Sequence, residues 1–255
     1  MSISTPLPVN EPKRPGKKFI MLESNPHVMN QLSYALGLSS TLAFHDVYSL
    51  TDPTLLSFLS RPALALLFVF PATPAYLAAY NEEQATIPTY RGSGANEPVI
   101  WFKQTIGNAC GLIGLLHCVC NGVERESITS GSELDKLLEQ AIPLTPDRRA
   151  KVLEDSDALE AAHMAAARTG DSAVPDVDAH GDTHYLAFVR GKDGCLWELE
   201  GGSKGPVKRG ALEEGEDMLS ERALEMGVRK FFKREEETGS GEMRFSVLML
   251  GPSFE

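Results

Sequence analysis

The stretch RPALALLFVFP, Arg61 to Pro71, constrains the fold of this chain more than any other. Between its two prolines lie eight consecutive apolar residues, Ala63 to Phe70. An apolar run of strand length with no polar alternation reads as a strand buried on both faces, in the middle of a sheet, and Pro71 closes it.

The remaining segments supply neighbours and covering layers. PVIWFKQ, from Pro98, reads as a second short strand, EMRFSVLML as a last one, and HYLAFVRGKDGCLWELEGG as a hairpin. After FIML the chain breaks at Ser24-Asn25-Pro26. Val28, Leu32, Ala35 and Leu36 then recur at helical spacing until Gly37 stops them. Asp52 is a helix cap with Pro53 at the first helical position. Ser130 and Glu133 have capping-box spacing ahead of Leu134, Leu137, Leu138 and Ala141. Thr145 and Pro146 open a polar helix that runs to about Ala167. ALEMGVRKFFKR is a late amphipathic helix. Strands and helices mix without a βαβ repeat, so the class is α+β, and 255 residues suit one domain. That domain spans 19–255, behind a mobile, basic, proline-rich arm at 1–18. After about Ala167 the chain fails into Gly, Asp, Ser and Pro, and the region around 161–182 is read as a loop; one of such length is a lid, a binding loop or disordered.

Charge narrows the partners. The formal net charge is −11, with acidic runs at Glu213, Glu214, Glu216 and Asp217 and at Glu235, Glu236 and Glu237. That balance disfavours nucleic acid and anionic membrane and suits a basic partner. For any single run, a solvated face is the simpler account. No apolar run reaches the length of a membrane helix, and the N-terminus has no secretory apolar core. Four cysteines are too few for a disulfide framework, so reduced thiols in the cytoplasm or nucleus are expected. A monomer is expected.

Three of those cysteines fall in QTIGNACGLIGLLHCVCNG, Gln104 to Gly122. Cys118 and Cys120 point to nearly opposite faces of one helix and lack a second ligand pair, so they are core residues and no metal site is expected. His117, about 10 Å along the axis from Cys110, is too far to act as its base. Cys110 stands where the helical pattern begins. Unpaired N–H groups and the helix dipole there favour a thiolate, with a pKa of roughly 3.5–7.5. Gln104 ends the incoming strand, and its amide with the Cys110 N–H would make two oxyanion donors. A glutamine six residues before a cysteine is common, and spacing alone does not decide.

A base comes from the hairpin. With a three-residue loop, Lys192-Asp193-Gly194, Gly191 faces Cys195 and Leu186 faces Glu200. His184 and Glu200 then share a face as diagonal neighbours, and the carboxylate can hold the imidazole. A two-residue loop would put them on opposite faces. A lone histidine at a strand start is more often a surface or capping residue.

The order Gln, Cys, His, acid is that of papain-like cysteine hydrolases. More specifically, FIMLESNP, LGL, DVYSL, RPALALLFVFP, FKQTIGNACGLIGLLH, DTHYLAFV and GCLWELEG together resemble the ubiquitin C-terminal hydrolase family, in its small single-domain members. The resemblance implies a papain-like fold with a central, mostly antiparallel sheet flanked by helices and a knotted backbone. It implies that Cys110 attacks the carbonyl after the last glycine of ubiquitin, or of a related ubiquitin-like modifier, to release small adducts or peptides. His184 would be base and then acid, Gln104 would line the oxyanion hole, and no cofactor would be needed. The loop at 161–182 falls where the family's crossover loop straddles the site and limits leaving-group size. Two departures stand out. Glu200 replaces the usual aspartate, and His27 stands where an acid often meets the basic tail of ubiquitin, leaving Glu23 as the acidic contact. The alternative is a ubiquitin-binding protein on the same fold whose misaligned triad barely turns over. A generic peptide-specific protease is the more distant alternative.

Overall fold

The computed structural model of the chain describes residues 16–179 and 181–254, so all of the expected arm before Gly16 lies outside the described residues. Strands β1 (Leu42–Asp46), β2 (Ala65–Pro71), β3 (Thr183–Arg190), β4 (Cys195–Leu199), β5 (Val207–Ala211) and β6 (Ser246–Pro252) form one sheet. Its order is β1-β6-β2-β3-β4-β5, with every neighbouring pair antiparallel. Nine α-helices are described: α1 (Pro26–Leu36), α2 (Pro53–Ser57), α3 (Pro74–Thr86), α4 (Cys110–Gly122), α5 (Glu133–Ala141), α6 (Pro146–Asp155), α7 (Asp157–Ala166), α8 (Glu221–Met226) and α9 (Arg229–Thr238). None is long and apolar enough to cross a membrane.

The apolar run becomes β2, buried at every residue. Side chains alternate across a strand. Ala65, Leu67 and Val69 enter the core shared with Leu112, Leu115 and Leu116 of α4, while Leu66, Phe68 and Phe70 enter a second core with Leu224 and Phe231 of α8 and α9. A strand shared by two cores has no polar face to show. The α+β sheet flanked by helices is the architecture expected.

Local chemistry explains most helix starts. The Asn25 side chain accepts the His27 N–H to begin α1, and Gly37 ends it at φ +114. Ser33 replaces Ala35 in the buried stripe, its hydroxyl satisfied by the Asn30 carbonyl at 3.1 Å, while Ala35 faces solvent. Asp52 caps α2 through Thr54 and Leu55. The α5 cap is Ser132, which accepts the Asp135 N–H, and not Ser130; Glu133 instead accepts the Ser156 hydroxyl at 2.6 Å. The single polar helix expected to Ala167 is two. Ser156 leaves helical dihedrals, ends α6, and caps α7 by accepting the Leu159 N–H at 3.0 Å.

The segment from Pro98 to Gln104 is not a strand of the sheet. Its N–H groups are taken elsewhere: Ile100 by Asn121 Oδ1 at 2.7 Å, Phe102 by His117 Nε2 at 2.9 Å and Gln104 by the Gly201 carbonyl at 2.8 Å. Side chains of α4 thus do the work of a neighbouring strand. The last residues of the expected arm are docked. Lys17 pairs with Glu160 at 2.6 Å and Lys18 with Asp178 at 2.9 Å.

Candidate active site

Asn108, at φ +59, turns the chain so that Cys110 is the first residue of α4, and no side chain caps that helix. First-turn N–H groups are therefore left to the thiol. Its own N–H, that of Gly111 and that of Tyr185 across on β3 all favour the thiolate. Burial outweighs them, and with a smaller push from the Glu200 charge raises the thiol to about 11. The depression expected from the helix terminus is not found, because desolvation of the sulfur is the larger effect. The Tyr185 N–H on the sulfur sets the start of β3, and with it His184, against the start of α4.

The hairpin has the three-residue loop on which the pairing of His184 and Glu200 depended. Gly194 lies at φ +73, the Gly191 N–H donates to the Cys195 carbonyl at 2.8 Å, and Ala187 pairs with Leu199. Glu200, just past β4 and only 8% exposed, brings Oε1 to 2.7 Å from His184 Nε2. The approach is close but off the N–H direction, so the nitrogen lacks an in-line acceptor. Nε2 is the ring nitrogen that faces the carboxylate. The other carboxylate oxygen accepts the Tyr76 hydroxyl at 3.0 Å. Trp101 Nε1 and the Ser203 hydroxyl donate to the Glu200 carbonyl at 3.0 and 2.9 Å.

Gln104 joins the same constellation through its backbone bond to Gly201, and its Nε2 donates to the Ile106 carbonyl at a long 3.3 Å. Gly201 is needed there. A Cβ would stand 2.7 Å from Ile113 Cγ2 and 2.9 Å from Gln104 Cβ.

His117 is fully buried, its pKa pushed down to about 3 by burial, and it braces the Phe102 backbone. Cys118 is core and Cys120 half-buried; among the described residues no His, Cys, Asp and Glu cluster could hold a metal.

Glu23 lies near enough for its charge to act on Tyr185, the strand residue whose N–H meets the sulfur, but its own hydrogen bonds go elsewhere. Glu23 Oε2 accepts the Ser172 N–H at 2.8 Å, a bond that lowers its pKa against the pull of burial, and Oε1 accepts Asn25 Nδ2 at 3.1 Å. It is committed to the loop after α7. Asn108, two residues before Cys110, holds that loop's other end by donating to the Val177 and Ala179 carbonyls at 2.8 and 3.3 Å. His27 is exposed beside Gln31. Residues 161–166 of the expected lid belong to α7, so the irregular part is shorter than anticipated. Nor are the acidic runs simply solvated faces. Asp217 accepts the Ala63 N–H at 2.9 Å, Glu213 and Glu216 pair with Arg222, and Glu235 is buried.

Residue composition alone could not mark Tyr76, Trp101 or Asn108. Only Asn108 carried a local signal, as the residue after Gly107 in the link to α4.

A thiol at a helix start, an imidazole on the facing strand, a carboxylate behind it and amide donors nearby can carry acyl transfer through a covalent thioester. These are the parts of a cysteine hydrolase. The chain belongs to the ubiquitin carboxyl-terminal hydrolase family, since the sequence profile described as "Ubiquitin carboxyl-terminal hydrolase, family 1" matches residues 19–233. It is 37% identical over 229 residues to ubiquitin carboxyl-terminal hydrolase isozyme L1 of Equus caballus, covering 90% of this chain and 96% of that protein. With ubiquitin carboxyl-terminal hydrolase 3 of Arabidopsis thaliana it shares 36% identity over 238 residues, 92% and 94% of the two chains. The UCH37 catalytic domain of Trichinella spiralis, solved bound to ubiquitin vinyl methyl ester, has the same fold. Its TM-score is 0.68 at 17% identity, over 92% of this chain and 96% of that one. The protein is a thiol-dependent ubiquitin hydrolase, a cysteine deubiquitinase.

Proposed function

We propose that the protein cleaves small adducts or peptides from the C-terminal glycine of ubiquitin through an acyl-enzyme on Cys110. Three contacts support this reading: Glu200 lies 2.7 Å from His184, the Gln104 N–H is bonded to Gly201 beside Glu200, and the N–H of Tyr185, the residue after His184, meets the Cys110 sulfur. As the sulfur attacks the glycyl carbonyl, His184 Nδ1 takes the thiol proton, and Glu200 stabilises the imidazolium that results. The Cys110 N–H and the Gln104 amide receive the oxyanion. His184 then protonates the leaving amine. A water that gives its proton to the same imidazole attacks the thioester, and the thiol is restored.

The loop after α7, held by Asn108 and Glu23, limits what leaving group can pass. His27 is exposed beside Gln31 and can meet the basic ubiquitin tail only as a neutral group, whereas the Glu23 carboxylate keeps lone pairs for it beyond those that hold Ser172 and Asn25. The family relationship does not favour a binding protein with negligible turnover. Incubation with ubiquitin bearing a C-terminal electrophile tests the reading. A covalent adduct on Cys110, lost in Cys110→Ala, is expected; tight binding without an adduct would refute it.

A further inference from the structure

We propose that Tyr76 is a positioning residue for the reaction: its hydroxyl is the second anchor that fixes the Glu200 carboxylate against His184. The proposal rests on the reading of Glu200 as the group that orients the imidazole.

A glutamate reaches its target through one more rotatable bond than an aspartate, so a single contact leaves its carboxylate free to swing. Here the contact to His184 Nε2 is short but out of line, and by itself sets no direction. Tyr76 supplies the missing constraint. Its hydroxyl donates to Oε2 at 3.0 Å, so the two carboxylate oxygens are held by different partners. A hydrogen bond to a buried charge is among the stronger ones, and such a carboxylate is costly to leave half-satisfied. Burial, helped by the Glu200 charge, pushes the phenol well above its usual range, so it remains a donor at any working pH.

The phenol is itself immobile. Tyr76 is 7% exposed, its ring edge-on to Phe70 at 4.5 Å and stacked on Phe231 at 6.0 Å. Phe70 also pairs with His184 across β2 and β3 and meets its ring edge-on at 5.8 Å. One aromatic wall therefore backs both the imidazole and the phenol. Behind it, the Tyr76 N–H donates to Thr73 Oγ1 at 3.0 Å, and that hydroxyl donates to the buried Glu235 at 2.5 Å. The chain of contacts runs from α9 through the first turn of α3 to the catalytic histidine.

The test is a four-enzyme comparison of the full chain: wild type, Tyr76→Phe, Glu200→Ala and the double variant. Each is assayed for steady-state release of a fluorophore from the ubiquitin C-terminus. Phenylalanine keeps the ring packing and removes only the hydroxyl. The expected result is a kcat about tenfold lower for Tyr76→Phe, from loss of one charge-assisted hydrogen bond, with KM changed by less than about twofold. In the Glu200→Ala background the same substitution should have no further effect on kcat, because there is no carboxylate left to hold. Wild-type kcat in Tyr76→Phe beside an impaired Glu200→Ala would overturn the role of Tyr76 alone. So would losses that multiply in the double variant, which would mark a general packing effect. Full activity in Glu200→Ala would instead remove Glu200 from the mechanism, and Tyr76 with it.

Discussion

Gly201→Ala adds one methyl group at the junction of Glu200 and Gln104, and the structure fixes what it meets. The new Cβ would stand 2.7 Å from Ile113 Cγ2, 2.9 Å from Gln104 Cβ and 3.3 Å from the Gln104 nitrogen. Non-bonded carbons rest at about 3.5–4.0 Å, so the neighbours must retreat by about 1 Å. Neither can do so freely. Ile113 is buried in α4 and its N–H is bonded to the Ala109 carbonyl, while the Gln104 N–H is bonded to Gly201 itself. Overpacking of this kind costs about 1–3 kcal/mol. For a domain of this size, about 2 kcal/mol lowers the melting temperature by about 4–8 °C. The catalytic loss should be larger, because a misplacement of about 1 Å in a positioned group costs about 100-fold in rate. The assay is kcat and KM for ubiquitin carrying a C-terminal fluorophore, with thermal melts of both proteins. A kcat about 100-fold lower at little-changed KM is expected. Wild-type kcat at an unchanged melting temperature would refute the claim that Gly201 holds the two site residues together.

Further perturbations test the frame around the site. Arg149 is fully buried, paired with Glu97 and donating to the Ala141 carbonyl at 2.8 Å, so Arg149→Met leaves a buried carboxylate unpaired. About 3–5 kcal/mol should be lost in urea denaturation, much of it restored by adding Glu97→Gln; no loss would refute the account. Asn108→Gly keeps the left-handed turn but frees the Val177 and Ala179 carbonyls. Faster proteolytic nicking after α7 is expected, and an unchanged rate would show that the tether does not restrain the loop. Burial pushes His163 down to about 4, below its ordinary 6.5. The unfolded chain therefore takes up a proton that the native state refuses between those values, and stability must fall as pH drops from 6.5 towards 4. The slope is about 1.4 kcal/mol per pH unit for that histidine, measurable as the urea midpoint. His163→Gln should flatten the profile, and an unchanged slope would clear His163 of the effect.

Where a feature depended on short-range geometry, the residues were sufficient to anticipate it. The β3–β4 register followed from one assumption about loop length, and Asp52 announced its helix because caps act within three residues. Failures came where distant groups intervened. Pro98 to Gln104 has the composition of a strand, yet Asn121 and His117 take N–H groups that a strand would have used. Ser156 was polar enough to pass as a helix surface, although its side chain splits the helix. The Cys110 thiol lies at a helix terminus, as its position suggested, but burial reverses the pKa effect that this terminus alone would have. Tyr76 joins the site across 124 positions of sequence, and no spacing rule reaches that far.

The alternation of β2 between two cores bears on how the molecule comes apart. Consecutive residues, Leu67 and Phe68 for instance, anchor opposite halves of the protein. Neither half can melt while the other keeps its shape, because both are pinned to the same backbone. Damage beneath α9 should thus be felt at the sulfur on the far side, and intermediates with one intact layer should be too scarce to populate.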